Sequence, residues 1–265
     1  MVKLVHKPIE VKESTQVALL IQEGLPKELL PYTIYAGTGY GRYLEALLAI
    51  PATLREAQFM GAYLHQSLAG FMEYRLSNQK IFLNNIYMGM GNRGQGIGRS
   101  LMQFLFELGK KARCTLIQLD VFEQNEKARA WYTQLGFETQ QENNWYEGIV
   151  HSEEQVRGIK SSFCQHDRFF LLKNGAQAQA IHKEYGFSMV EIETSKAVYQ
   201  IGRLGQLFYR LYSIEQAHDE ELLMALQILD PHRKLILISA DALGPHPNIR
   251  FTPIMKSYRM ACTLN

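Results

Sequence analysis

A glycine-rich segment in the first half of the chain has the composition of an anion-binding loop. It follows a predicted strand, Lys80 to Met88, and precedes a predicted helix; it reads Arg93, Gly94, Gln95, Gly96, Ile97, Gly98. Glycine lets a phosphate approach the backbone without a Cβ clash, and the N–H groups at a helix N-terminus favour an anion. Arg93 adds a full positive charge. The segment therefore predicts a site for a diphosphate group.

Two other interpretations of these glycines are open at this point. Gly89 to Gly94 formally fits G-x-G-x-x-G, and Asp120 ends the next strand, where a dinucleotide site needs an acid. That reading places Gly94, Gly96 and Gly98 inside the start of the helix, where each costs about 1 kcal/mol relative to Ala. It also needs further parallel strand–helix units, which the sequence does not clearly supply. The other interpretation is a glycine-rich turn that binds nothing.

The hydrophobic pattern predicts the elements that position this loop. Short strands joined by tight turns favour an antiparallel meander, and apolar residues at helical spacing mark the helices. The first half is predicted to contain helices at 16–22, at 40–50, from 101 to Gly109 and from its cap Asn125 to Gly136, and strands at 58–64, 69–76, 80–88 and 115–121. The second half is predicted to contain helices at 177–185 and 222–229, two short strands within 187–201, a strand at 235–238 and a last one at 256–263. The predicted fold class is α/β (α+β), with a mixed, mostly antiparallel sheet flanked by helices.

A second motif lies after the strand that ends near Val121. Its residues fit the pattern N-x-x-A-x-x-x-Y-x-x-x-G-F, with Asn125, Ala128, Tyr132, Gly136 and Phe137 in the specified positions. Together with the glycine loop, which fits R/Q-x-x-G-x-G/A, it resembles the GNAT superfamily of N-acetyltransferases. The resemblance covers about residues 1–148, and it implies that the protein transfers an acetyl group from acetyl-CoA to an amine.

The resemblance also implies roles for individual residues. Acetyl-CoA is expected between the strands that end near Met88 and Val121, with its pantetheine arm on the backbone of Tyr87 and Met88. The N–H groups from Arg93 to Gly98 are expected to hold the pyrophosphate. Asn125 is expected to contact the pantetheine or to order the loop. Tyr132 is the expected general acid for the leaving thiolate, because a nearby phenol can donate to it; its alternative is a core aromatic residue. No metal is implied.

The sequence departs from the family pattern at the residue expected to act as the general base. Family members often carry a Glu on the strand before the glycine loop, and here residues 81–88 include no acid. Glu73, on the neighbouring strand, is the nearest substitute, and its alternative is a solvated strand face. Asn84 or Asn85 could instead position a water molecule. The missing Glu also leaves open a CoA-binding sensor that catalyses nothing.

The acceptor is expected against the first two helices and the loop between them. Tyr32, Tyr35 and Tyr40 in this region could stack on a sugar, ring or peptide, or could simply pack. The acceptor is thus expected to be a small-molecule amine or a peptide or protein amine. A longer acyl group and a hydroxyl acceptor are the alternatives within the same class of enzyme.

The chain is predicted to contain two domains. The catalytic domain is predicted at 1–150, a polar connector within 152–165, and a smaller domain at 160–265. The smaller domain resembles a degenerate GNAT-like domain; the alternative is an unrelated α/β appendage. Its connector at 210–221 contains no glycine and ends in Asp219, Glu220 and Glu221, which would repel a diphosphate. This half is therefore expected to bind no CoA.

Composition limits the class of protein. The net charge is only +2, which gives no electrostatic case for nucleic acid. No apolar run approaches the roughly 18 residues of a membrane span, and no signal peptide is recognised at the N-terminus. Cys114, Cys164 and Cys262 lie far apart and fit neither a metal site nor a disulfide framework. A cytoplasmic protein without a membrane partner is expected, and a homodimer is left open.

Overall fold

The computed structural model describes residues 4–150 and 170–264, which divide between two compact units. Unit 1 comprises Met1–Glu28, Tyr40–Glu142 and Ser257–Asn265, and unit 2 comprises Leu29–Gly39 and Asn143–Lys256. These units differ from the predicted domains 1–150 and 160–265. The segment 29–39 belongs to unit 2, and the C-terminal segment belongs to unit 1. The predicted connector at 152–165 lies outside the described residues.

Unit 1 contains the predicted antiparallel meander. Its strands, in sheet order, are β1 (Val5–Pro8), β2 (Ala57–Leu64), β3 (Ser67–Ser77), β4 (Lys80–Met88), β5 (Leu116–Phe122) and the end of β12 (Ile249–Thr263). All neighbouring pairs are antiparallel except β4 and β5, which are parallel. Two-residue turns with positive φ at His65–Gln66 and Asn78–Gln79 connect β2, β3 and β4. Such turns match the right-handed twist of paired strands, which is why these connections are so short.

Four α-helices pack in unit 1. They are α1 (Ser14–Gly24), α2 (Tyr40–Ala49), α3 (Ile97–Lys111) and α4 (Glu126–Gln134). Leu101 and Leu105 of α3 are completely buried in one core with Ile81 and Ile117 of the sheet. The prediction that α3 ends at Gly109 was wrong by two residues. A Cβ at that position would collide with Leu264, so the glycine allows the C-terminal segment to pack against the helix.

Unit 2 has a similar order of elements. Its sheet contains β6 (Glu138–Val150, from residue 143), then β11 (Lys234–Ser239), β10 (Phe208–Leu211), β9 (Val198–Leu204), β8 (Phe187–Glu193) and β7 (Leu171–Leu172). The helices are α5 (Gly175–Tyr185), α6 (Ile214–Ala217) and α7 (Glu220–Leu229). The parallel pair β10–β11 is linked through α7, as β4–β5 is linked through α3. Unit 2 thus also combines antiparallel strands with one strand–helix–strand crossing.

Candidate active site

An opening lies between β4 and β5 where the two strands separate. They pair in parallel from Lys80–Leu116 to Leu83–Leu119, although β4 continues to Met88. On the other side of β4, Glu73 pairs with Asn85 while Tyr74 pairs with Leu83, so Asn84 is an extra residue in a β-bulge. A bulge bends its strand and increases the local twist. The divergence begins at this bulge, and it leaves the backbone of residues 84–88 facing the expected opening.

The glycine loop borders this opening at the start of α3. Gly94 and Gly96 have φ of 77° and 79°, in the left-handed region that favours glycine. Within the described residues, and apart from the immediate chain neighbours, no atom lies within 4 Å of the position of a Cβ at either residue. Gly96 is also the N-cap of α3 and supplies no side-chain acceptor to the first turn. The first turn of α3 thus has no side-chain cap from Gly96, as an anion-binding helix start requires.

The other residues of the loop are held by short contacts. The Arg93 guanidinium donates to the Met88 carbonyl at 3.4 Å, and the Gln95 amide donates to the Gly91 carbonyl at 3.0 Å. Ile97 is the first residue of α3 and is buried. Gly98 differs from the two loop glycines, because a Cβ there would lie 3.1 Å from Met88 and 3.4 Å from Trp131. Its role in the structure is close packing of α3.

Glu73 is buried beside the bulge and accepts two hydrogen bonds. Asn84 Nδ2 donates to one carboxylate oxygen at 2.8 Å and Asn85 Nδ2 to the other at 2.6 Å. Only 6% of Glu73 is exposed, so it does not lie on a solvated strand face. Burial raises the pKa of Glu73, and the two amide donors together with Arg75 partly oppose that shift. The structure thus brings Glu73 and both Asn candidates together in one cluster.

The side chain of Tyr87 joins this cluster, which the sequence did not indicate. Its ring packs beside Phe71, with ring centroids 6.1 Å apart, and against Gly24 of α1, where a Cβ would collide with it. Burial raises the pKa of Tyr87 to about 12, and the charge of Glu73 adds to the shift. The motif names only the backbone at this position, so no sequence signal pointed to the phenol.

Tyr132 lies on α4 within the core of unit 1. Its ring centroid is 5.1 Å from that of Trp131 and 5.7 Å from that of Phe137. Burial raises the pKa of Tyr132 above its ordinary value, and the charge of Tyr87 raises it further. Tyr87 therefore interacts electrostatically with both Glu73 and Tyr132. The side chain of Tyr132 is a core aromatic that also keeps its phenol protonated at neutral pH.

Asn125 begins α4 as its N-cap. Its side-chain oxygen accepts a hydrogen bond from the Ala128 N–H at 3.3 Å. This cap satisfies one of the free donors at the start of the helix and orients the turn that carries Tyr132. The cap is the contact that the structure shows for Asn125, and its expected role toward the pantetheine arm or the loop stays a prediction.

The three tyrosines expected at the acceptor are divided between the two units. Tyr32 packs on Phe208 of unit 2, with ring centroids 4.9 Å apart. Tyr35 lies in a 3₁₀ turn of the same unit, and its backbone N–H donates to the Thr33 side chain. Tyr40 belongs to unit 1 and is only 3% exposed, with its ring 6.1 Å from that of Tyr43. Burial makes Tyr40 a packing residue in this conformation, while acceptor binding by Tyr32 and Tyr35 stays a prediction.

Comparison with known proteins defines the family of this site. The model of the acetyltransferase (GNAT) family matches residues 30–137, a range that contains the glycine loop, Glu73 and Tyr132. This region of the chain is a GNAT acetyltransferase domain. No curated protein matches the sequence of the chain. Acyl-CoA-dependent acetyl transfer is the general activity that this family supports.

Solved structures extend the GNAT fold beyond that range. A tandem GNAT protein from the clavulanic acid biosynthesis pathway is 13% identical and aligns over 99% of both chains with a TM-score of 0.63. Two shorter structures align with about half of the chain. One is the PaiA N-acetyltransferase of Thermoplasma acidophilum in complex with coenzyme A (19% identity, 52% of this chain and 92% of that one, TM-score 0.45). The other is the ribosomal-protein-S18-alanine N-acetyltransferase of Escherichia coli (16%, 53% and 81%, TM-score 0.42).

The GNAT assignment also disfavours the rival dinucleotide site. In the described part of unit 1, β4 and β5 are the one parallel strand pair, whereas a dinucleotide fold needs several.

Among residues 4–150 and 170–264, no three His, Cys, Asp or Glu side chains are grouped to hold a metal ion. No helix in these same ranges is long and apolar enough to cross a membrane.

Proposed function

We propose that the protein transfers the acetyl group of acetyl-CoA to a primary amine by direct attack within a ternary complex. The observation that carries the proposal is the buried Glu73 carboxylate, which two amide donors hold beside the opening between β4 and β5. Burial raises the pKa of this carboxyl, and a carboxylate with a raised pKa is a better proton acceptor than an ordinary one.

Glu73 is proposed to act as the general base. An amine is protonated near neutral pH and must lose a proton before its nitrogen attacks the thioester carbonyl carbon. Each oxygen of Glu73 accepts one amide hydrogen bond, from Asn84 or Asn85, and keeps a second lone pair. Glu73 can use that lone pair to accept the proton, directly or through water. The amide donors fix the carboxylate, so its orientation costs little during the reaction.

Tyr132 is proposed to stabilise the leaving thiolate. When the C–S bond of the thioester breaks, the sulfur carries the negative charge. Burial raises the pKa of Tyr132, whereas a thiol has a pKa near 8.5. Complete transfer of the phenolic proton to the sulfur is therefore uphill, and the main contribution is a hydrogen bond from the hydroxyl to the thiolate. The proton that completes the thiol then comes from solvent or from the amine through Glu73.

The glycine loop is proposed to hold the pyrophosphate of CoA. Gly94 and Gly96 leave the backbone accessible, and Arg93 supplies a positive charge at the same loop. The backbone of Tyr87 and Met88, on the diverging part of β4, is proposed to pair with the pantetheine arm. The backbone groups from Arg93 through Gln95 and Ile97 to Gly98 then bind the phosphates.

Mass spectrometry of reaction products tests the proposed chemistry. Wild-type protein is incubated with acetyl-CoA or a longer acyl-CoA and a panel of primary amines, N-terminal peptides and alcohols. The proposal predicts a gain of one acetyl group on nitrogen, with α-amino groups favoured because their pKa of about 7.7–8.0 leaves more free base than a lysine side chain has. Acylation confined to hydroxyl groups, or a preference for longer acyl chains, would support the alternatives. Tight CoA binding without any product would indicate a sensor.

A further inference from the structure

A polar cluster in unit 2 has no role in the proposed acetyl transfer. Ser188 on β8, Arg203 on β9 and Tyr209 on β10 are adjacent cross-strand partners and lie on the face that packs against the helices. His182 of α5 and Arg233, just before β11, complete the cluster. The next row of the same face, which includes Val190 and Ile201, is the apolar core of unit 2.

Several polar atoms of this cluster are buried without a hydrogen-bond partner among the described residues. They are both ring nitrogens of His182, the hydroxyl of Ser188 and Nε of Arg203. His182 and Ser188 are only 5% and 7% exposed. The backbone of Gly205 lies close to the imidazole but does not complete a hydrogen bond with it. A buried polar group that loses its hydration without gaining a hydrogen bond destabilises the fold, so these groups need a partner.

The charges of the cluster do not balance. Arg233 donates to the Asp230 carboxylate at 2.9 Å and to the carbonyls of Gly205 and Phe208. Arg203 has a neutral partner, the Gln179 side chain at 3.0 Å, and forms no ion pair within the part of the chain that the structure describes. Both guanidinium groups act on His182 and lower its pKa to about 4, after the larger effect of burial, so its ring is neutral.

We propose that His182, Ser188 and Arg203 form a binding site for a small oxyanion, such as a phosphate or carboxylate group. Arg203 and Arg233 share the single carboxylate of Asp230, so water could satisfy the hydrogen-bonding groups but would leave a net positive charge. An oxyanion satisfies both, because its oxygens accept from the Ser188 hydroxyl, the Arg203 Nε–H and one imidazole N–H. Arg203 is partly exposed, and its guanidinium donates to the exposed Gln179, so this edge of the cluster borders solvent.

Anion-dependent thermal unfolding of the full chain tests this site. The unfolding midpoint is measured with inorganic phosphate, sulfate or acetate, each compared with chloride at the same ionic strength. The site predicts a saturable rise of the midpoint with at least one oxyanion and none with chloride; comparing phosphate with acetate identifies the preferred class. Isothermal titration with the effective anion then gives its Kd.

Single-residue variants and a matched control show whether the anion binds at this cluster. Arg203→Met is expected to weaken the anion about tenfold or more, since a charged hydrogen bond is lost, and Ser188→Ala is expected to weaken it by a smaller factor. Lys183→Gln, which removes an exposed cation from the same helix as His182, is the control and should leave the Kd unchanged. If Arg203→Met does not fold, the Kd of the anion for Ser188→Ala tests the site instead. No oxyanion effect beyond chloride in wild type, or equal Kd values in Ser188→Ala and wild type, would overturn the proposal. Neither result depends on acetyltransferase activity.

Discussion

At the scale of single residues, the environment of Glu73 decides the proposed chemistry. The carboxylate combines burial, which favours its neutral form, with two amide donors, which favour its ionised form. The first effect raises the pKa toward the range where proton transfer is efficient, and the second keeps the charged form accessible. A strand acid that was only solvated would have neither property.

Glu73→Gln should therefore remove base catalysis while it keeps the size of the side chain. We expect turnover to fall by about 10²–10⁴-fold, with CoA affinity nearly unchanged. In wild type, kcat/KM should rise with pH as Glu73 loses its proton, at a pKa above that of an ordinary Glu. In Glu73→Gln, kcat/KM should lack this rise and should increase only as the acceptor amine loses its proton. Glu23→Gln, an exposed acid on α1, is the control; equal turnover in Glu73→Gln and this control would exclude the base role.

Tyr132→Phe tests the residue that is proposed to stabilise the leaving thiolate. The ring remains, so the contacts with Trp131 and Phe137 should hold and the unfolding midpoint should stay close to wild type. Loss of a hydrogen bond to the thiolate should lower kcat by about 10²-fold or more where chemistry limits the rate. Single-turnover measurements separate chemistry from product release. An unchanged chemical rate would show that the residue contributes packing alone.

At the scale of elements, the glycine loop and the bulge together create the site. Gly96 has a backbone conformation that other L-residues adopt at a cost of about 1–2 kcal/mol, and its Cβ position faces open space. Its glycine is therefore explained by the left-handed backbone and by access for a ligand, not by crowding within the protein.

Gly96→Asp should abolish stabilisation of the protein by CoA, because a carboxylate would face the diphosphate. Wild type should gain about 2.7 kcal/mol at 100 times the Kd of CoA. Gly91→Ala is a suitable control, since Gly91 also has open space around its Cβ position but lacks a positive φ. Stabilisation by CoA should persist in this control. Wild-type stabilisation of Gly96→Asp would mean that the diphosphate binds elsewhere.

The meander and the α3–β5–α4 region were predictable from sequence because their signals are local. Apolar periodicity, tight turns and the Asn125 cap act over a few residues, and the structure confirms them. The cluster of Glu73 with Asn84 and Asn85 could be named only as alternatives, because the bulge that joins them depends on pairing between strands. The phenol of Tyr87 was missed for the same reason, since Gly24 and Phe71 position it from other elements.

The strands β1, β6 and β10 were not predicted. The first half of β6, Glu138 to Asn143, is almost wholly polar and shows no alternating pattern. β12 was predicted only in part, and its end pairs with β5 across more than a hundred residues of sequence, from Ser257–Phe122 to Thr263–Leu116. Such pairing is a property of topology that no local pattern contains. The placement of 257–265 in the second predicted domain followed from this omission.

For the whole molecule, we expect one CoA site in each chain. The region of unit 2 that corresponds to the glycine loop contains no glycine, and Asp219 caps α7 by accepting from the N–H groups of Glu221 and Leu222. The first turn of α7 is thus already satisfied by a carboxylate, and a diphosphate there would meet like charge. Calorimetric titration should give one CoA per chain; two sites would contradict the assignment.

Truncation after Lys256 tests the composition of unit 1. Residues 257–263 pair with β5, the Arg259 guanidinium forms two hydrogen bonds with Asp120, and Leu264 packs against Gly109. Their removal should expose the β5 edge and lower the unfolding midpoint of the domain that binds CoA. Arg259→Met, which removes only the exposed Arg259–Asp120 ion pair, should lower the free energy of unfolding by at most about 1 kcal/mol. A truncated chain with the wild-type midpoint and CoA affinity would show that unit 1 does not need this strand.

The release of free CoA thiol tests the central claim most directly. Purified protein is mixed with acetyl-CoA and a panel of primary amines, and thiol is measured with time, with each reactant omitted in turn. We expect thiol release to require protein, acetyl-CoA and an amine together, to rise with pH through the raised pKa of Glu73, and to fall sharply in Glu73→Gln. Amine-dependent release that proceeds equally fast without the Glu73 carboxylate would contradict the account.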